Sequence, residues 1–262
     1  MMTGKKKEEK KKCKYVHGWA GFKCSKQALP DDKYCIFHSK NTEGKKDRFN
    51  DEFWKEFKKE KKDSYMFIGF IFPNDIPFQG KHFKKDAFFV SSKFIGEADF
   101  SDSHFKGKAI FDDCRFESYS WFENGTFVKE ARFKDTFFKG ESSFRKATFS
   151  DNARFIGTQF EEGTNFIEAT FEKKGKAQFD QTKFFKNVSF FEAKFFGDAN
   201  FEKAQFSEMV LFEEAQFFQK AHFENAEFSG EADFRNTKFS WSTIFRKSRL
   251  LESRILCKKW KT

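Results

Sequence analysis

Residues 98–144 read ADFSDSHFKGKAIFDDCRFESYSWFENGTFVKEARFKDTFFKGESSF, and one residue type sets their rhythm. Phe stands at Phe100, Phe105, Phe111, Phe116, Phe122, Phe127, Phe133, Phe138 and Phe144, in steps that alternate between five and six. The same alternation starts at Phe83, takes one longer step from Phe171 to Phe179, and resumes as far as Phe245. Phe78, Phe72 and Phe67 extend it backwards. Two residues before each Phe sits something small, for example Ala98, Ser103, Ala109, Cys114, Ser120, Gly125, Ala131 and Thr136. An internal repeat of this kind takes precedence over any local reading.

A helix cannot use this pattern. At 100° per residue, successive Phe fall about 140° apart and no apolar stripe forms. In extended chain, residues i−2 and i point to the same side. Each unit is therefore a short extended piece that turns a small residue and a Phe inward, followed by a tight corner. The extra residue of the longer units often brings Gly96, Gly107, Gly140, Asp151, Gly197 or Gly230, which reads as a corner at positive φ. Lys173, Lys174 and Gly175 fall in the long step and should bulge from one corner.

These units resemble the pentapeptide-repeat family, whose pattern is a small residue, any residue, Leu or Phe, and two polar residues. The resemblance covers about residues 67–250 and implies an all-β solenoid, a right-handed four-sided β-helix. With alternating five- and six-residue units a coil takes about 22 residues, and about eight coils follow. Some members of that family resemble DNA in shape and charge and bind topoisomerases, protecting them from quinolones.

Composition agrees with a repeated core. The chain has 262 residues, of which 45 are Phe, 3 Pro and 4 Tyr. Its mean hydropathy is −0.77 despite 21% aromatic residues, so one residue type has replaced the usual aliphatic mixture. The net charge of +10 is uneven. Residues 1–66 and 246–262 are basic and the repeats between them mildly acidic, which makes a poor DNA mimic. No stretch of about 18 apolar residues suggests a membrane span. The lysine-rich start lacks the apolar segment of a secretory signal, so the expected location is cytoplasmic.

The ends divide into four further segments: a basic tail (1–12), a metal module (13–40), a capping helix (47–62) and a basic capping helix (247–262) beyond repeats at 67–246. Asn50 suits an N-cap, Phe49 and Trp54 a hydrophobic staple, and Lys58, Lys59, Lys61 and Lys62 the last turn. At the far end Leu250, Leu251, Ile255, Leu256 and Trp260 suggest the second helix.

The metal module reads Cys13-x10-Cys24-x10-Cys35-x2-His38. Three thiols and an imidazole complete a tetrahedral structural Zn2+ site and leave no open position for catalysis. Tyr15, Trp19, Phe22 and Phe37 would form a miniature core around it, and His17 is an alternative ligand. The spacing is similar to the Cys3His module of plant WRC-type zinc domains through Cys24 and Lys33-Tyr34-Cys35; that resemblance implies contact with DNA or nuclear partners. Lys5, Lys6, Lys7, Lys10, Lys11, Lys12 and Lys14 supply a basic flank for nucleic acid, or simply a solvated tail.

Catalytic motifs are missing: there is no Gly-x-Ser-x-Gly, His-Glu-x-x-His or Gly-x4-Gly-Lys. The expected role is a non-catalytic interaction scaffold with no small-molecule substrate. Outward positions after the ladder Phe are mostly polar, but Ile167, Phe185, Phe191, Phe196 and Phe218 are not. Such a patch suits a protein partner or a second copy of the chain. The alternative is a nucleic-acid-associated or topoisomerase-modulating protein acting through its basic module and tail.

Overall fold

The computed structural model describes residues 11–59, 64–172, 174–250 and 255–256. Short strands, most of them two residues long, stack into four parallel ladders. Face 1 runs from Ser64–Met66 to Thr243–Ile244, face 2 from Ile71–Phe72 to Arg249–Leu250, face 3 from Ile76–Pro77 to Ile255–Leu256, and face 4 from His82–Phe83 to Lys238–Phe239. The coil is right-handed with about 22 residues per turn, in about eight coils. Ser64 pairs with Asp86 and Phe116 with Phe138, so like positions stack on like. Across the long step Ala153 pairs with Ala177, and the ladder absorbs the extra residues at the corner between faces 4 and 1. Lys173 lies outside the described residues.

Two kinds of aromatic contact dominate the interior. Along a face, rings stack in parallel: Phe111 on Phe133 at 5.0 Å and 2°, Phe100 on Phe122 at 5.0 Å and 2°. Between faces 1 and 3 the rings meet edge-on, Phe111 and Phe122 at 5.5 Å and 85°. Both arrangements suit the ring quadrupole. The small column fills what the rings leave. Where the small residue leading into face 2 or face 4 carries a hydroxyl, the group donates to a Phe carbonyl of the previous coil: Thr136 to Phe111 and Thr158 to Phe133, each at 2.6 Å. Cys114 donates likewise to Phe89 and is fully buried, as its column requires.

The corners correct the reading of the glycines. Positive φ occurs in the five-residue steps, two places after the Phe, at Asp102, Asp113, Asn124, Asp135, Lys146, Gln181 and their equivalents. Gly96, Gly107, Gly140, Asp151, Gly197 and Gly230 do not adopt it. Those five glycines are needed for close approach instead. A Cβ on Gly140 would lie 2.6 Å from the carbonyl carbon of Ser118 in the coil before, and one on Gly96 would meet the backbone of Asn74 and Asp75.

Both caps differ from expectation as well. The helix α1 spans Lys46–Phe57, and its N-cap position is Lys45 rather than Asn50. Starting earlier places Phe49 and Phe53 on one buried face, with Phe53 against Phe67, Phe72 and Phe78 of the first coil. Asn50 instead donates to the Asp75 carbonyl at 3.2 Å. Lys61 and Lys62 lie outside the described residues. At the other end Arg249–Leu250 and Ile255–Leu256 are strands that pair with Glu227–Phe228 and Ala232–Asp233, not a helix. Pairing here also covers the unpaired backbone edge of the preceding coil, which a helix could not do. Leu251 and Trp260 lie outside the described residues.

Two substitutions separate the two corner chemistries. Gly140→Ala should destabilise by roughly 1–3 kcal/mol through overpacking, whereas Gln181→Gly, at φ 57°, should stay within about 1 kcal/mol of neutral. Urea unfolding of both variants measures this; equal effects would contradict the assignment.

Candidate metal centre and solenoid groove

The module before α1 builds its four-residue cluster from two simple devices. The first is a narrow antiparallel pairing, Lys12 with Gln27 and Val16 with Lys23. Cys13 N donates to Lys26 O at 2.8 Å and Cys24 N to Tyr15 O at 3.0 Å. The wide ten-residue spacing between Cys13 and Cys24 is the length of that doubled-back segment, with a 3-10 turn at Trp19–Gly21. The second is a single turn in which His38 N and Ser39 N both donate to Cys35 O, at 3.0 and 2.9 Å. It brings Cys35 Sγ and His38 Nδ1 to 3.2 Å.

The four donor atoms lie within 4.8 Å of one another. Cys24 Sγ is 3.8 Å from Cys35 Sγ, and Cys13 Sγ is 3.6 Å from His38 Nδ1. Tetrahedral ligands at zinc bond lengths stand about 3.4–3.8 Å apart, so the cluster has the size of a coordination shell. His38 Nε2 is 2.9 Å from the Ile68 carbonyl, which accepts a hydrogen bond from Nε2–H and leaves Nδ1 with a free lone pair facing the thiols. Tyr15 stacks on the imidazole at 3.9 Å and 6°, and Phe70 meets it edge-on. The hydrogen bond from Cys35 draws the Cys24 thiol down to about 4 against the cost of burial. Its bond to Cys24, followed by burial, pushes Cys35 up. Burial raises Cys13. A cation among these thiols would stabilise their thiolate forms. His17 stands apart from the cluster, with Nε2 3.0 Å from Ser91 Oγ.

The module is not a separate bead. Trp19 packs on Phe88 at 4.8 Å and Phe37 stacks on Phe70 at 4.6 Å, so both face the solenoid rather than a private core. Trp19 and Phe22 cover the outward apolar positions of face 1, Met66, Phe88 and Ile110. Gly69, at φ +66°, lies directly under Tyr15, and any Cβ there would clash with that ring. Ile71 N donates to Phe37 O at 2.8 Å. Lys26 reaches Glu56 of α1 at 2.7 Å. Burial opposes the Glu56 charge, but Lys26 and Lys59 hold it down to about 2.

The outward apolar residues distribute over three corners. Phe196 and Phe218 stack at 4.5 Å and 4° on the corner between faces 4 and 1. Ile167 and Phe191 share the corner between faces 3 and 4, so the two pairs flank face 4. Phe185, 41% exposed, belongs to the corner between faces 2 and 3. Of the basic flank, Lys11, Lys12 and Lys14 are exposed beside the cluster. Lys5, Lys6, Lys7 and Lys10 lie outside the described residues.

Sequence reasoning missed a further feature on face 3. A shallow groove of about 340 Å³ runs along it, floored by Ser143, Asn165 and Ser189 and closed by Trp121 at one end and Met209 and Leu211 at the other. Trp121 lies parallel to exposed Tyr119 at 5.5 Å and donates to Glu97 at 2.6 Å. Asn165 and Asn187 each spend their side-chain oxygen on a backbone N–H, at 2.8 and 3.1 Å. Their amide groups remain as donors. The signal was present in the column immediately before each ladder Phe, where Phe88, Ile110, Trp121 and Leu211 break a polar series.

Comparison with known proteins bears on the repeats. A search of curated proteins gave no match. Among solved structures, a trypsin-treated form of QnrB1, a plasmid-mediated fluoroquinolone resistance protein, is similar at 15% identity over 69% of this chain and 88% of that one, with a TM-score of 0.19. Residues 67–115, 78–126, 89–136 and 122–170 match the family model for pentapeptide repeats (9 copies). These are the residues whose ladders the register already describes: residues 67–170 are similar to pentapeptide repeats, and the same four ladders carry on beyond residue 170.

Proposed function

We propose that this chain is a non-catalytic docking rod, capped by a structural zinc module and engaging a protein partner through face 3 and the apolar corners beside it. The observation that carries the reading is internal to the molecule. Where outward apolar residues occur on the first coils, the chain covers them with its own Trp19 and Phe22. Trp121, Met209 and Leu211 line an open groove. Ile167 and Phe191 adjoin that groove; Phe196 and Phe218 extend the apolar surface across face 4, and Phe185 bounds it on the other side. Zinc suits the centre because thiolate and imidazole donors select it and the protein fills all four positions. Such an ion folds a segment too short to bury a core of its own.

A second reading keeps nucleic acid as a ligand of the N-terminal module, supported by exposed Lys11, Lys12 and Lys14 beside the centre. A topoisomerase partner would rest on the family resemblance alone. Fluorescence anisotropy with labelled duplex and single-stranded DNA tests direct binding. Affinity should fall steeply between about 50 and 300 mM salt and disappear when the three lysines become Glu; absence of binding at low salt removes this reading.

For the zinc cap, metal analysis of the purified chain should give one zinc per molecule. Cys35→Ser should lower Tm and speed hydrogen exchange in the first coil while leaving residues 100–170 protected. Unchanged exchange at Phe67–Phe72 would show that the centre does not hold the cap. For the groove, Asn165→Arg should abolish capture of the partner from source-cell lysate, and Arg154→Ala, on face 1, should leave it intact. Loss in both, or in neither, would move the docking surface elsewhere.

A further inference from the structure

Lys45 is the one lysine among the described residues that is fully buried, at 1% exposure. It closes the short turn Glu43–Lys45 and leads into α1. Its Nζ donates to the carbonyls of Ser39 and Ile71, each at 2.8 Å, and lies 5.1 Å from the Phe49 ring centre. Every one of these partners is neutral. A buried ammonium held only by carbonyls lacks compensation for its lost hydration, and burial draws Lys45 down to about 8. The acidic groups that favour its charge are Asp32 and, once ionised, Cys35. Asp32 is partly exposed and already accepts from Ser39 Oγ. Cys35 belongs to the metal cluster, and Ser39 directly follows its ligand His38.

Charge arithmetic supplies the missing partner. Three thiolates and a neutral imidazole around a divalent ion carry one net negative charge. That charge would sit beneath Tyr15 and Phe70, away from water. One buried cation on the ligand-bearing turn cancels it. We infer that Lys45 is the built-in countercharge of the metal-loaded Cys13–Cys24–Cys35–His38 centre, matching it to a divalent ion bound by three thiolates. This rests on the zinc reading above. It also couples metal loading to the cap, because the same ammonium ties the ligand turn to Ile71 of the first coil.

Charge and clamping are separable by a double-mutant cycle. Zinc affinity of the full chain is measured by competition with a chromophoric chelator for wild type, Lys45→Met, Cys24→His and the double variant. Cys24 is the least buried ligand, at 9% exposure, and a His there makes the loaded centre neutral. Lys45→Met should weaken zinc binding at least about tenfold with the native ligands, but by less than about threefold in the Cys24→His background. Lys45→Arg should restore most of the affinity, and the cobalt-loaded Lys45→Met protein should keep its thiolate charge-transfer band. Equal losses in both backgrounds would make Lys45 a clamp only and overturn the inference, as would undiminished binding by Lys45→Met. A wild-type chain that takes up no zinc would instead defeat the zinc reading, and the countercharge with it.

Discussion

The structure depends on a coincidence of two lengths. Parallel strands stack about 4.8 Å apart, and offset aromatic rings pack well at nearly the same separation. A Phe that recurs once per face per coil therefore meets its own image at the optimum of both interactions. Phe133 sits 4.9 Å from Phe155 and Phe144 4.8 Å from Phe166. Neither spacing has to yield to the other. A column of Leu would fill similar volume without fixing ring orientation. The edge-on contacts between faces 1 and 3 then set the width of the interior, and that width requires the small column beside the rings. The corner chemistry follows: five-residue steps turn through a left-handed residue, and six-residue steps pass so close to the preceding coil that several tolerate only Gly.

A ladder of this kind has no natural end. Each coil presents unpaired backbone and bare rings to the next, and an uncovered edge is a template for aggregation. At the N-terminal end α1 lays Phe49, Phe53 and Phe57 over the first rings. One amphipathic helix cannot cover the flank of face 1, where Met66, Phe88 and Ile110 point outward. The module wraps that flank, but it is too small to fold on apolar burial alone. As proposed, a coordination shell would give it cohesion; its attachment comes from His38 to Ile68, Tyr15 over Gly69 and Lys26 to Glu56.

How much of this the sequence discloses follows from which constraints are periodic. The ladder was legible because every inward position obeys the same rule many times over. The grouping of Cys13, Cys24, Cys35 and His38 was legible because three thiols and an imidazole in one short segment have few uses other than one shared site. Gly140 and its equivalents were misread, since a glycine needed for positive φ and one needed for close approach look the same until the neighbouring coil is in place. Leu250, Leu251, Ile255 and Leu256 fit a helix by local spacing, yet Ile255 pairs with Ala232 because an open ladder outcompetes local preference. Asn50 failed as a cap for a related reason: burial of Phe49 on the first coil decides where α1 begins. The docking of Trp19 on Phe88 was invisible because it joins segments separated by the whole of α1.

The same logic locates specificity. The interior is nearly uniform from coil to coil, so it can distinguish no partner. Information resides in the outward columns, where each face offers one side chain per rung at fixed spacing and fixed direction. On face 3 that column reads Asp99, Trp121, Ser143, Asn165, Ser189, Leu211 and Asp233: aromatic and aliphatic ends around a polar floor, with a carboxylate beyond each. A rigid backbone cannot close around a ligand, so a partner of the kind proposed would have to match this register in its own shape. The cap matters to that surface indirectly. It protects the end from which the ladder is open and leaves the groove on face 3 free.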